Sequence, residues 1–244
     1  MKLAIVSTPR SGNTWVRLVL GEIFGLSVVG VHNYRDITEI PDDCLLQLHW
    51  YREPNFQAFL REHGFQVLVI ARHPLDVLLL ILHFIRYEAQ TARWLEGNGE
   101  IPAALVGQSP ASEAFRAYAA GWGAENLLSV SYQWWRDPDA IKVRYEDLVA
   151  DPVGGFKALV RALGGPEERV EQALANNGID ALRDLPNRHA WQGRPGLWRE
   201  LIPGDLVQTL QARHARLFEV FGYDVEPGDL TAEQAEANWA AFKR

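Results

Sequence analysis

The sequence predicts an α/β fold in which helices flank a central, mostly parallel sheet. Short apolar runs alternate with longer helical patterns, the arrangement expected of right-handed β–α–β units. The 244 residues are 48% hydrophobic, enough to fill the core of one large domain. We therefore expect a single domain over residues 1–225, followed by an acidic helical tail over residues 226–244.

Four apolar runs are predicted to be strands, and a helical pattern follows each of them. The runs are Leu3–Thr8, Cys44–His49, Phe65–Arg72 and Ile141–Tyr145. The helix after the third run begins with Pro74 in its first turn and Asp76 near its positive end, both of which favour a helix start. Residues 26–36, between the first helix and the second strand, are predicted to be a connection.

Chemically capable side chains stand where the predicted strands end. Arg10, His49, Arg72 and Tyr145 fall at or just beyond the carboxyl ends of the four strands. Ligands of open parallel sheets bind at that edge. We therefore expect these four side chains to converge on one crevice.

The turn after the first strand has the features of an anion site. A helical pattern begins at Asn13, so the unpaired N–H groups and the dipole of its first turn favour negative charge there. Arg10 adds a cation, Ser11 and Thr14 add hydroxyl donors, and Gly12 lets the backbone approach a phosphate closely. The turn is not a Walker A loop, because G-x-x-x-x-G-K-[ST] is absent.

The segment Pro9-Arg10-Ser11-Gly12-Asn13-Thr14-Trp15 resembles the 5′-phosphosulfate loop of sulfotransferases, P-K-S-G-[TN]-T-W. Six of the seven positions match, and Arg10 replaces the usual Lys. The resemblance implies a nucleotide-kinase-like, or P-loop-like, fold. It also implies 3′-phosphoadenosine 5′-phosphosulfate (PAPS) as cofactor and adenosine 3′,5′-bisphosphate (PAP) as product, with no metal. The cofactor contacts that it implies are Arg10, Ser11, Gly12, Asn13, Thr14 and Trp15, the last stacking on adenine.

Arg72, Pro74 and Asp76 resemble the second sulfotransferase signature, R-x-P-x-D. In the family this Arg binds the 3′-phosphate, and a guanidinium suits that task because it forms two parallel hydrogen bonds. A Ser four residues beyond the Asp shares the task in the family, and that position is Leu80 here. Asp76 itself is expected to serve as an acid at the helix start.

His49 aligns with the catalytic histidine of the family, which follows a strand as K-T-H. The resemblance implies that His49 is the general base, while the family Lys two residues earlier is Gln47 here. Tyr145-Glu146-Asp147-Leu148 matches the family's Y-E-D-L, in which the Tyr contacts adenine.

The last family signature, R-K-G-x-x-G-x-W, has a counterpart between Trp191 and Trp198. Gly193, Gly196 and Trp198 match, but Trp191 replaces the phosphate-binding Arg. The resemblance implies Gly193 and Arg194 as cofactor-binding residues, with Arg194 or Arg188 supplying the missing charge. The aromatic tract over residues 115–135 is expected to build the acceptor pocket, and residues 86–109 to form a loop able to act as a lid.

Charge and composition exclude several classes of protein. The net charge of −7 argues against a general binder of nucleic acid or membrane surfaces. The single Cys44 excludes an internal disulfide and a Cys-based zinc site. No signal peptide or membrane-spanning run is visible, so we expect a cytoplasmic protein.

The hypothesis is a PAPS-dependent sulfotransferase that acts on a hydroxyl of a small molecule. His49 would be its general base and Arg10 its stabiliser of the leaving phosphate. Two alternatives stay open: a P-loop-type small-molecule kinase, and a non-catalytic nucleotide-binding or scaffold domain. The kinase would need a Walker Lys and a Mg²⁺-binding Asp, while the changes at Gln47, Leu80 and Trp191 leave room for the scaffold. The acceptor and the oligomeric state are not predicted.

Overall fold

The computed structural model describes residues 1–87, 91, 94–95, 97, 101–178, 182 and 191–242. Its residue contacts divide the chain into two compact units. The sheet unit comprises Met1–Arg72 and Val130–Gly193, and the helical unit comprises His73–Ser129 and Arg194–Arg244. None of the helices in the described part of the chain is long and apolar enough to cross a membrane.

The sheet unit contains five strands. They are β1 (Lys2–Val6), β2 (Ser27–Gly30), β3 (Cys44–Leu48), β4 (Gln66–Ala71) and β5 (Ile141–Arg144). Their order is β2-β3-β1-β4-β5, and all four pairings are parallel. The predicted α/β fold with a central parallel sheet is confirmed. Because every strand runs the same way, all five carboxyl ends lie at one edge of the sheet.

The expectation of a plain connection after the first helix is wrong at Ser27–Gly30, which forms the edge strand β2. This strand pairs only with β3, and three of its four residues are exposed. A four-residue run that is exposed and ends in glycine lacks the apolar pattern of a buried strand. Its pairing partner is what makes it a strand.

Twelve α-helices connect or flank the strands in the described part of the chain. They are α1 (Asn13–Phe24), α2 (Pro54–Glu62), α3 (Pro74–Phe84), α4 (Glu113–Ala119), α5 (Trp122–Trp135), α6 (Tyr145–Ala150), α7 (Pro152–Ala162), α8 (Val170–Asn176), α9 (Trp198–Leu201), α10 (Gly204–Arg213), α11 (Ala215–Phe221) and α12 (Ala232–Phe242).

The core of the sheet unit lies between one face of the sheet and helices α1 and α7. Val16, Val19 and Ile23 recur at helical spacing on α1 and pack against Ile5 of the central strand. Each such side chain, when fully buried, contributes about 1.5–3 kcal/mol of hydrophobic stabilisation. Helix α1 ends at Phe24, and the left-handed Gly25 that follows donates its N–H to the carbonyl of Gly21. Because α1 follows β1 directly and packs against the sheet, the start of α1 lies at the carboxyl edge of β1.

The helical unit is organised around α3, whose eleven residues are all buried. Within the predicted acidic tail, α12 buries Trp239, and the amide of Asn238 donates to the carbonyl of Glu200. Part of the expected lid, namely residues 88–90, 92–93, 96 and 98–100, lies outside the described residues, as does Arg188.

Candidate active site

The loop that joins β1 to α1 is closed by its own side chains. The Nδ2 of Asn13 donates to the carbonyl of Thr8 at 3.1 Å, across the turn. Arg10 and Gly12 both have left-handed backbones, with φ of 68° and 95°. A left-handed residue other than glycine costs free energy, and such residues cluster at functional sites. Asn13 therefore begins the helix and also fixes the shape of the predicted anion loop.

A network of buried hydroxyl groups fastens the root of this loop to its neighbours. The Oγ of Ser131 on α5 accepts from the N–H of Thr8 at 2.8 Å and donates to the carbonyl of Ile70 at 2.8 Å. The Thr8 hydroxyl accepts in turn from the N–H of Ser131 at 3.1 Å. The hydroxyl of Ser7 accepts from the N–H of Ile70 at 2.8 Å. Ser131 was not identifiable from the sequence, because no motif marks a serine within an aromatic tract.

The guanidinium groups of Arg10 and Arg72 belong to or contact this loop. Nη1 of Arg72, which is only 6% exposed, donates to the carbonyl of Arg10 at 3.4 Å. Burial and the positive charge of Arg72 lower the pKa of Arg10 to about 9. An anion near two neighbouring cations offsets their mutual repulsion. The structure thus brings together the strand-end arginines that the sequence singles out.

Ser11 supplies a test of whether a phosphate fits this loop. Its side chain is fully buried, and its Oγ has no hydrogen-bond partner among the described residues. A buried hydroxyl left without a partner costs about 1–3 kcal/mol. An oxygen of a phosphate or phosphosulfate at the start of α1 would accept from this hydroxyl and from the helix N–H groups. The loop therefore fits the anionic group that the resemblance implies.

Tyr145 occupies the space beside the loop. A Cβ on Gly12 would lie 2.9 Å from Cε2 of the tyrosine ring and nearer still to Cδ2, so only glycine fits there. The guanidinium carbon of Arg72 lies 4.1 Å from the centroid of the same ring. The Tyr145 hydroxyl donates to the carbonyl of Gly193 at 2.6 Å. One ring thus contacts the loop, the end of β4 and the segment of the last signature.

Trp15 packs edge-on against two aromatic rings of the sheet unit. Its ring centroid lies 5.1 Å from that of Phe156 and 6.2 Å from that of Tyr145, with interplanar angles of 73° and 77°. Thr14, one residue earlier in the first turn of α1, is partly buried. The adenine contact implied for Trp15 stays a prediction.

His49 lies just beyond β3 with its ring orientation fixed. Its Nδ1 is 2.7 Å from the carbonyl oxygen of Ser7. A carbonyl only accepts, so Nδ1 carries the hydrogen and donates it. In the neutral ring the lone pair is then on Nε2. The hydrogen bond therefore selects the tautomer whose other nitrogen is able to take a proton.

Arg194 and Leu80 belong to the helical unit. Arg194 forms two hydrogen bonds of 2.7 Å with the carboxylate of Glu200, and this pairing raises the pKa of the guanidinium. The pairing of Arg194 with this carboxylate does not show a phosphate contact, and cofactor binding by Arg194 stays a prediction. Leu80 is buried within α3 and offers no donor.

Asp76 does more than begin a helix. Its carboxylate is fully buried and accepts from the backbone N–H groups of Gly196 at 2.6 Å and of Trp198 at 3.0 Å. The Trp198 ring in turn stacks on that of His73, with centroids 5.0 Å apart. The acid of the second signature therefore anchors the glycine and tryptophan of the last one, a role that sequence analysis missed.

In the described part of the chain, no group of three or more His, Cys, Asp or Glu side chains is placed to hold a metal ion.

Neither a protein-family model nor a curated protein matches the sequence. Solved structures do match in fold. Mouse sulfotransferase SULT7A1 in complex with PAP gives a TM-score of 0.64 at 14% identity, over 91% of this chain and 89% of that one. Retinol dehydratase with androsterone and the inactive cofactor PAP gives 0.58 at 13% identity, over 92% and 82% of the two chains.

The sulfotransferase domain from the curacin biosynthetic pathway is also similar in fold. It gives a TM-score of 0.50 at 16% identity, over 92% of this chain and 98% of that domain. At these identities the likeness concerns the path of the backbone and the order of the strands. The chain therefore has the fold of sulfotransferases, as the resemblance in its strand-end motifs implies.

Proposed function

We propose that this protein is a PAPS-dependent sulfotransferase that acts on a hydroxyl group of a small molecule. The observation that carries the proposal is the pairing of an anion loop with a proton acceptor at one edge of the sheet. The loop contains Arg10 and the buried Ser11 hydroxyl, and Arg72 donates to its backbone from the end of β4. The bond from Nδ1 of His49 to the carbonyl of Ser7 leaves the lone pair of the neutral ring on Nε2. The solved structures of the same fold that contain PAP support this assignment.

The residues of the loop would hold the donor. Arg10, the Ser11 hydroxyl and the N–H groups at the start of α1 would bind the 5′-phosphosulfate, and Arg72 would bind the 3′-phosphate. When bound, PAPS supplies the sulfuryl group and leaves as PAP. Ser11 then gains the acceptor that it lacks among the described residues. The contacts implied for Thr14, Trp15, Gly193 and Arg194 belong to this proposal as well.

His49 would take the proton from the acceptor hydroxyl. Its Nε2 accepts that proton, and its Nδ1–H stays bonded to the carbonyl of Ser7. This bond is stronger when the ring is charged, because a cationic donor forms a shorter and stronger hydrogen bond. Ser7 therefore orients the ring and also stabilises the imidazolium that forms.

Arg10 would stabilise the charge that grows on the leaving 5′-phosphate. With a pKa lowered to about 9, it still carries its charge at neutral pH. A lysine starts from a pKa about two units lower than arginine does. In the same buried place beside Arg72 it would lose its proton nearer to neutral pH. An arginine at this position therefore stays positively charged at neutral pH, although burial disfavours the charge.

The acceptor is proposed only as a class. Retinol dehydratase has been solved with androsterone and with retinol, each together with PAP. Both complexes show small molecules seated on this fold, which supports a small hydroxylated acceptor here. The aromatic tract over residues 115–135 is the proposed source of the pocket.

The test compares two nucleotides and then looks for transfer. We expect PAP to raise the melting temperature while ATP with Mg²⁺ raises it much less; a ligand at a hundred times its Kd adds about 2.7 kcal/mol. Mass spectrometry of hydroxylated metabolites incubated with protein and PAPS should then detect sulfated products. Equal stabilisation by ATP and Mg²⁺ would favour the kinase, and PAP binding without any transfer would favour the scaffold.

A further inference from the structure

Arg17 is a half-buried cation that none of the roles above uses. Its Nε is buried without a hydrogen-bond partner among the described residues. Burial lowers the pKa of this guanidinium, and no carboxylate contributes to the shift. A cation that gives up part of its hydration without a negative partner is destabilising. Arg17 is therefore a partly buried positive charge whose Nε has no hydrogen-bond partner among the described residues.

The position of Arg17 on α1 directs it toward the anion loop. It follows Asn13 by four residues, so the two side chains lie on the same side of the helix. Four residues of α-helix rise about 6 Å, and helical side chains lean toward the N-terminus of their helix. An extended arginine side chain spans this rise. From this position a guanidinium is within reach of the first turn, where the unpaired N–H groups lie.

Gln47 of β3 carries a second buried polar atom, Oε1, that has no hydrogen-bond partner among the described residues. Gln47 is two residues beyond Leu45, so both point to the same face of the sheet. Leu45 packs in one cluster with Val16 of α1, so this face is the one that α1 covers. Gln47 is paired with Ile5, two residues before Ser7, and so lies close to the carboxyl edge.

We propose that Arg17 is a further donor-binding residue, whose positive charge acts with Arg10 on the 5′-phosphosulfate. This proposal rests on the proposed function. It explains why an apolar helix face keeps a half-buried arginine without a carboxylate beside it. It also separates two tasks, since Arg72 would act on the 3′-phosphate and Arg17 on the 5′-group.

Matched variants of Arg17 test the charge apart from the shape. Arg17→Gln keeps much of the aliphatic stem and removes the charge, whereas Arg17→Lys keeps the charge. We expect Arg17→Gln to weaken PAP binding about tenfold, the lower end for a charge-assisted contact, and Arg17→Lys to stay within about threefold of wild type. Adenosine 3′-phosphate, which lacks the 5′-group, should bind equally to all three proteins. Calorimetry measures each Kd.

A relocated charge gives a second measurement. Adding Gln47→Lys to Arg17→Gln places a cation on the adjacent strand, at the same face of the sheet, and should recover PAP affinity. If Arg17→Gln binds PAP as the wild type does, the role of Arg17 is overturned. An equal loss for adenosine 3′-phosphate, or failure of both Arg17→Lys and the double variant to bind PAP well, overturns it too.

PAP binding by the wild-type protein separates the role proposed for Arg17 from the proposed sulfotransferase function. Wild type that binds no PAP overturns the cofactor assignment, and the role of Arg17 falls with it. Wild type that binds PAP while Arg17→Gln binds it equally well overturns the role of Arg17 alone and leaves the sulfotransferase assignment standing.

Discussion

The guanidinium of Arg72 lies over the ring of Tyr145, 4.1 Å from its centroid, and the edge of the same ring closes against Gly12. A tyrosine that the family motif assigns to adenine therefore also contacts the arginine that we propose to bind the 3′-phosphate. The ring shields one face of the guanidinium from water, which strengthens its hydrogen bonds to an anion on the other side. Variants of these residues test the arrangement.

Two substitutions of Tyr145 distinguish the contribution of its ring to PAP binding from the contribution of its hydroxyl. Tyr145→Leu removes the surface on which Arg72 stacks, an interaction worth about 0.5–2 kcal/mol. We expect PAP to bind roughly 3- to 30-fold more weakly. Tyr145→Phe keeps the ring and loses only the hydrogen bond to Gly193, so it should retain most of the affinity. If calorimetry finds the two variants equally impaired, the stacking of Arg72 is not what matters.

Arg72 itself should discriminate between nucleotides. Arg72→Ala is expected to weaken PAP binding by about 10- to 150-fold, the range for a charged hydrogen-bonding contact. Adenosine 5′-phosphosulfate, which has no 3′-phosphate, should lose much less. Because Leu80 offers no second donor, we expect the upper half of the range. The same loss for both ligands would refute the assignment of Arg72 to the 3′-phosphate.

Gly12→Ala should destabilise the fold and disrupt the loop. Its φ of 95° disfavours a side chain, and the new Cβ meets the ring of Tyr145. Gly25→Ala is the matched control, because Gly25 has a φ of 68° and nothing within 4 Å of an added Cβ. Urea titration should show a cost of about 1–2 kcal/mol for the control. Overpacking should add about 1–3 kcal/mol more at Gly12. Equal costs would show that the ring moves aside freely.

PAP affinity should depend on pH through Arg10. Its pKa is about 9 in the folded protein against 12.5 as reference, so between these values the unfolded chain binds more protons. The free energy of unfolding therefore rises with pH across that window, and the cost of burying the charged group is present in full below pH 9.

Because the proposed phosphate contact needs the charged form of Arg10, the affinity for PAP should fall above about pH 9, approaching tenfold per pH unit. The phosphates of the ligand are already ionised at that pH, because their second pKa is about 6. Arg10→Lys should begin its decline at a lower pH, since lysine starts from a lower reference value. Calorimetry from pH 7 to about pH 10 measures both profiles. A flat profile for the wild type would exclude Arg10 from the anion site.

Removing His49 should stop transfer and leave donor binding intact. His49→Ala is expected to lower single-turnover transfer by about 10²- to 10⁴-fold, the usual share of positioned proton transfer. The affinity for PAP should be unchanged, because the proposed phosphate contacts come from the loop and from Arg72. His63→Ala, at an exposed position after α2, serves as the control. A folded His49→Ala protein that transfers at the wild-type rate would end the case for this base.

Local sequence signals predicted which residues stand at the strand ends, but not the long-range contacts around them. Arg10, His49 and Arg72 were identifiable because each follows an apolar run in sequence, and parallel strands align their ends. The contacts of Ser131 to Thr8 and of Asp76 to Gly196 join segments 123 and 120 residues apart. No local pattern records such a pairing. Strand β2 was missed for the same reason, because it exists through its partner β3.

The hydroxyl network at the root of the loop between β1 and α1 has a kinetic consequence. Ser7, Thr8 and Ser131 hold the root of this loop through buried hydrogen bonds within the protein, so we expect the loop to need no nucleotide to take this form. A receptor that needs no ordering step avoids the entropy of immobilising loop residues on association. Encounter should therefore be governed by diffusion and by the local positive field, and nucleotides of different affinity should differ mainly in their dissociation rates.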